Sequence, residues 1–327
     1  MRILSRSTQK TLSSPFLSTL CRNARPAGYA RSINTPAYEG HIPVNWFENA
    51  FLAVGSAVMS LVDPRRGGAD FDPSMAGWVY WMSCFASVVK DMIAALGETT
   101  AGSSLPRLRD VMLESAEGRR ILKERPRVNS NTINMDRLAQ YSEGSFGRAY
   151  VTWLERCGVT QDTREPVGIS CANILNSLIL LTSFNQVHYI NDPELAYVMQ
   201  RYRECHDFYH CICNLPVNVE SELALKYFEF ANLGLPMTGI AALFGPIRLT
   251  SQKRARLFSE YVPWALKCGG SARSLITIYW EERWEQDVNA MKKEFGILDP
   301  PPARWSKPLS EAKALADKRR QVASSDG

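Results

Sequence analysis

Histidine is scarce in this chain, with four residues among 327. A Gly-rich phosphate loop and a serine nucleophile elbow are both missing, which removes the usual nucleotide-binding and serine-hydrolase readings. Period-two alternation between turn dipeptides is also missing, so neither strands nor hairpins are expected. The eight cysteines show no paired framework and read as free thiols. Residues 1–38 hold no acid but six basic residues: Arg2, Arg6, Lys10, Arg22, Arg25 and Arg31. Set against the overall charge of +5, those six leave the remainder at −1. The body of the chain therefore has no basic footprint for nucleic acid.

What is present is helical in pattern and has a substantial apolar content of 45%, enough for a sizeable core. The expected fold class is all-α: a single domain of packed, mostly antiparallel helices with a metal site between two of them. Residues 1–38, rich in Ser and Arg, read as a mitochondrial transit peptide. Residues 39–303 form the folded body, and 304–327 a charged, flexible tail. Val44 to Val62 is near the length of a membrane span. Asn45, Glu48, Asn49 and Gly55 make it a buried or interfacial helix instead. Further helices are expected at 105–117, 135–141, 145–157, 192–213, 219–232, 252–268 and 271–295.

Two of the four histidines fall within His206-Asp207-Phe208-Tyr209-His210, with Glu222 following. On a helix His206, His210 and Asp207 lie at roughly 0°, 40° and 100°, one side of the cylinder. Two imidazoles one turn apart beside a carboxylate form a ready chelate for a divalent metal. Pro216 should end that helix and let Glu222 fold back as a fourth ligand. Nitrogen and oxygen donors in this number suit Zn, with Fe or Mn as alternatives. A solvated histidine face, with Glu222 paired to Lys226, is the plainer reading of the same residues. Cys205, Cys211 and Cys213 crowd the motif and read as buried packing residues, although a Cys213 thiolate could also reach the His206 face.

His-Asp-x-x-His followed by Glu222 resembles the signature of the mitochondrial coenzyme Q biosynthesis protein 4 family. The flanks carry the same resemblance: 196–204 before the motif, and Lys226-Tyr-Phe-Glu229 and Gly234-Leu-Pro-Met237 after it. Gly97-Glu-Thr-Thr100 is also similar to a run in that family. Two apolar segments depart from the family pattern, about 68–89 and 168–186. They read either as membrane-contact loops or as translated intron. Outside them no segment is long enough for a membrane span.

The resemblance implies a role in ubiquinone biosynthesis, peripheral on the matrix face of the mitochondrial inner membrane. It implies metal-dependent decarboxylation of a 4-hydroxy-3-methoxy-5-polyprenylbenzoate ring, with hydroxylation at the same carbon as an added step in some readings. The implied partners are the polyprenylated hydroxybenzoate, the inner-membrane lipid surface and other ubiquinone-biosynthesis proteins in a multi-subunit complex. Self-association is left open. Arg203, on the same helix face, could clamp a substrate carboxylate as a catalytic residue or simply pair with Asp207. Tyr202 could line the pocket, and Glu204 points away into a structural role. The apolar stretch from Leu235 to Leu249 is a candidate rim for the polyprenyl tail. A non-catalytic lipid-binding scaffold is the alternative function. A His-Asp phosphohydrolase would need further metal ligands that His41 and His188 do not supply.

Overall fold

The computed structural model describes residues 36–62, 94–159 and 187–325. Both expected inserts lie outside these residues, as does the leader apart from positions 36–38. Among the described residues there are helices and turns but no strand. An isolated bridge joins Ser145 to Asp287. The all-α expectation is met.

The helices in chain order are α1 (Trp46–Val62), α2 (94–100), α3 (Ser104–Glu114), α4 (Ala116–Glu124), α5 (Met135–Gln140) and α6 (Phe146–Cys157). There follow α7 (Pro193–Ile212), α8 (Val219–Leu233), α9 (Pro236–Phe244) and α10 (Ser251–Arg256). A π-turn over Leu257–Tyr261 joins α10 to α11 (Val262–Ser271). The last two are α12 (Val288–Phe295) and α13 (Leu309–Ser325).

The central element is α7. Asp192 caps its start, accepting from the backbone N–H groups of Glu194 and Leu195 at 2.8 and 3.1 Å, with Pro193 in the first turn. Its end comes before Pro216: Asn214 turns into the left-handed region at φ 50° and the Leu215 N–H reaches back to the His210 carbonyl at 2.9 Å. Residues are buried on every side of this helix, so it runs through the core. One face carries the histidines. The opposite face carries Phe208, whose ring lies edge-on to Phe146 at 5.7 Å and to Trp284 at 5.5 Å. Asn218 caps α8, which returns antiparallel to α7 and stops at Gly234, φ 64°. Next, α11 packs on α8 so closely that a Cβ on Gly269 would lie 2.5 Å from the Phe228 carbonyl oxygen.

Three expectations are corrected. The 105–117 helix is two helices, α3 and α4, broken where Ser115 becomes the N-cap of α4. The 271–295 segment is not one long helix; it is short 3₁₀ turns followed by α12. The Asn232 amide on α8 holds the Gly269, Ala272 and Arg273 carbonyls and accepts from the Leu275 N–H, which fixes the chain as a loop. Glu117 on α4 then takes the Tyr279 N–H at 2.9 Å and Arg283 at 2.7 Å. The charged tail is also no frayed end. Residues 309–325 form α13, with Ala312 and Ala316 fully buried and Arg148 of α6 bonded to the Ala316 carbonyl and to Asp317.

Trp280 is fully buried in the loop between α11 and α12, against Phe146, Phe208, Tyr209 and Phe295. Trp280→Ala should lower unfolding stability by about 3–5 kcal/mol in a denaturant titration. A loss under 1 kcal/mol would mean the ring is not part of the core.

Candidate metal centre

The antiparallel return of α8 brings Glu222 and Glu229 opposite His210 and His206. Glu222 Oε2 lies 2.8 Å from His210 Nε2, and Glu222 Oε1 lies 3.3 Å from His206 Nε2. His206, His210 and Glu222 each present a donor atom within 4.8 Å of the other two. Both histidines are buried, while the Glu222 side chain is 36% exposed and marks the open side of the cluster. Two imidazoles and a carboxylate at this spacing are a donor set that one divalent ion can bridge, leaving a position for water or substrate.

The residues behind this set strengthen the fit. His206 Nδ1 is 2.5 Å from Glu229 Oε1. Glu229 is fully buried and its other oxygen accepts from Tyr202 Oη and Lys226 Nζ, each at 2.8 Å. A carboxylate on Nδ1 fixes the ring so that Nε2 faces the open side, the usual support for a metal-bound histidine. His210 has no such support, since its Nδ1 is buried without a hydrogen-bond partner among the described residues. Its ring is instead stacked on Trp153, 5.8 Å between centroids. Lys226 Nζ also lies 3.3 Å from Glu222 Oε1, so the plainer pairing of these two is present as well.

The charges of this cluster are set by one another. Burial pushes the Glu229 carboxyl up, but Lys226, His206 and their hydrogen bonds outweigh it and hold the group down at about 2. Glu222 likewise loses solvation yet is held well below the ordinary carboxylate value by Lys226 and both histidines. For His206, burial and Lys226 press downward. Glu229 and Glu222 outweigh them and leave it above an ordinary histidine.

Asp207, expected as a ligand, does not join the donor set. About 100° of helix separates it from His206. Its half-buried carboxylate instead contributes to the field that raises the Cys157 thiol on α6. Arg203 does not stand as a free clamp: it donates to Glu98 on α2 at 3.0 Å, and the Glu98 side chain is only 1% exposed. Glu98 also accepts from the His188 and Tyr189 N–H groups at 2.7 and 2.8 Å, so Arg203 ties α7 to α2 and to the segment ahead of α7. Tyr202 does reach the site, through Glu229. Glu204 is structural as expected, bonded to Arg127 at 2.7 Å and to the Val128 N–H. The five described cysteines are free, and Cys213 is buried with its thiol pushed well up by desolvation, so it supplies no ready thiolate. Glu229 and Lys226 were not singled out as site residues from sequence. Their signal was the Glu222, Lys226, Glu229 spacing, which places three ionic groups on one stripe of α8.

The described residues together define an all-helical fold with a His-His-Glu cluster between two antiparallel helices. The Coenzyme Q (ubiquinone) biosynthesis protein Coq4 profile matches residues 38–69, 75–169 and 182–301. The chain belongs to that family, and a role in coenzyme Q biosynthesis follows. The breaks in the match, 70–74 and 170–181, are shorter than the two expected inserts and fall inside them. The mitochondrial ubiquinone biosynthesis protein COQ4 of Laccaria bicolor is 69% identical over 89% of this chain and 84% of its own. Those of Coprinopsis cinerea and Aspergillus fumigatus are 63% and 44% identical, over 88% and 87% of this chain and 84% and 85% of theirs. A solved chain from Nostoc punctiforme superposes with a TM-score of 0.48 at 16% identity, over 76% of this chain and 98% of that one.

Glu229 supplies a pH test. Its folded value of about 2 lies below the 4.5 of the unfolded carboxyl. The stability it contributes is therefore complete above about pH 4.5 and is lost as pH falls toward about 2. In metal-free protein, denaturant titrations should show Glu229→Gln less stable than the parent at pH 6, with the gap narrowed by about half or more at pH 3 and closing toward pH 2. A gap that is constant with pH would remove Glu229 from the account.

Proposed function

We propose that this chain is a divalent-metal-dependent decarboxylase acting on a 4-hydroxy-3-methoxy-5-polyprenylbenzoate ring in ubiquinone synthesis. The supporting observation is the convergence of His206, His210 and Glu222 from two helices, with His206 oriented from behind by Glu229. These three residues would hold the metal, with zinc the best match to the donors and Fe or Mn as alternatives. When bound, the ion supplies a positive centre for the substrate carboxylate or phenolate and for charge that develops on the ring.

The chain's own residues set the conditions for that chemistry. Glu229, Tyr202 and Lys226 keep His206 in one tautomer with Nε2 forward. Trp153 keeps the His210 ring flat against α6. Burial of both histidines excludes water from all but the Glu222 side, which strengthens electrostatic interactions inside. Overall, the carboxylate-bearing ring carbon takes a proton, and the electrons of its bond to the carboxylate return to the ring as CO2 leaves. Hydroxylation at the same carbon would replace that proton with an oxygen and needs an external oxidant.

The setting is proposed as the matrix face of the mitochondrial inner membrane, within a complex of other ubiquinone-biosynthesis proteins. No described helix is long and apolar enough to cross a membrane. The exposed apolar side chains of α1 (Trp46, Phe47, Phe51 and Val54), together with Leu243 and Ile247 around α9, favour contact with a lipid surface and passage of the polyprenyl tail. The same exposed residues favour a second reading, a lipid-binding scaffold without catalysis.

Metal analysis and CO2 release on the purified protein separate the two. His210→Ala and Glu222→Ala should each lose the bound metal and at least 100-fold of CO2 release, while keeping helical circular dichroism. Metal-free protein that turns over at the full rate would overturn the metal-dependent mechanism, and metal-loaded protein that releases no CO2 would leave the scaffold.

A further inference from the structure

A cavity of about 370 Å³ lies against Trp153, bounded by α6, the end of α7, α12 and α13. Five cations and two acids line it. The acids are already taken: Asp317 by Arg148 and Glu143 by Lys313. Lys292 shares Asp299 from outside the cavity, at 2.8 Å. That leaves Arg156 and Arg320, neither of which has a carboxylate partner among the described residues. The Arg156 guanidinium lies flat on the Trp305 ring, 3.7 Å from its centroid, which fixes its plane. Its Nε is buried and has no hydrogen-bond partner among the described residues. A buried donor on a charged group is costly to leave open.

We infer that this cavity is a binding site for a phosphate-class oxyanion, held by Arg156 and Arg320 with Lys292 as a third cation and the Trp305 ring as a wall. Two positive charges without carboxylate partners match a doubly charged anion better than a single carboxylate. The planar fork of arginine suits its bidentate geometry. The volume exceeds that of a bare phosphate, so the ligand is a phosphate ester whose organic part lies along Trp153, Ala149 and Leu309. Such a group is carried equally by a soluble ester and by a phospholipid headgroup. Trp153 is shared with the metal centre, since its ring also stacks on His210.

Inorganic phosphate titrated into the purified full chain, against sodium chloride of matched ionic strength, tests this. Tryptophan fluorescence and the melting temperature should both respond and saturate. Arg156→Gln and Arg320→Gln should each weaken the response about tenfold or more. Lys253→Gln, on the exposed face of α10, should leave it unchanged. Arg320 is exposed, so its variant tests the site even if Arg156→Gln does not fold. Phosphatidylcholine vesicles with and without phosphatidic acid then identify the source. Sedimentation that requires phosphatidic acid and is lost in Arg320→Gln assigns a lipid headgroup; saturation by phosphate with no gain on vesicles assigns a soluble ester. A response no larger than that to chloride, or a full response in both arginine variants, overturns the proposal.

Discussion

A carboxylate with no access to water must have its charge answered by its neighbours, and Glu229 is fully buried. Three groups meet it: His206 at one oxygen, Tyr202 and Lys226 at the other. Removing any one leaves the others with an uncompensated group in the interior. This arrangement dictates how α7 and α8 sit on each other. His206 and Tyr202 are one turn apart on α7, and Lys226 and Glu229 are one turn apart on α8, so only one register satisfies all four. The same register places Glu222 across from His210. The His-His-Glu cluster is therefore a consequence of a buried polar contact one turn away.

The rest of the fold keeps that register. Gly269 lets α11 approach the back of α8 where any side chain would collide with the Phe228 carbonyl. Asn232 then ties α8 to the loop that delivers Trp280 to the far side of α7. The aromatic group around Phe208 and Trp280 fills that side with large rings in tilted and edge-on contact. Among the described residues α7 is enclosed, and its histidines open toward solvent past Glu222. Arg203 adds a second anchor, tying the same helix to the buried Glu98 of α2.

Much of this was legible in the sequence because it follows from period and punctuation. The α7 helix begins at Asp192-Pro193 and ends before Pro216, and its histidine pair lies on one face as i, i+4 spacing requires. Glu222 came from the motif and its flanks. Asp207 stays outside the donor set because about 100° of helix turns its carboxylate away from the His206 donor atom. Residues 271–295 looked helical because aromatics are frequent there. The side chains of Asn232 and Glu117, distant in sequence, out-compete the helical hydrogen bonds. The charged tail became a helix because Ala312 and Ala316 provide a narrow apolar stripe that its composition hides. Glu229 was overlooked although it shares a stripe with Glu222 and Lys226, since an ionic stripe on a helix is more often solvated than buried.

The central claim is that His206, His210 and Glu222 grip one cation together. Anomalous diffraction at the zinc edge, on crystals of the purified protein grown with zinc, measures this directly. The account predicts a single strong peak within about 2.0–2.2 Å of one nitrogen of each histidine and one Glu222 oxygen. A peak held by only one of the three, or no peak between α7 and α8, would contradict it.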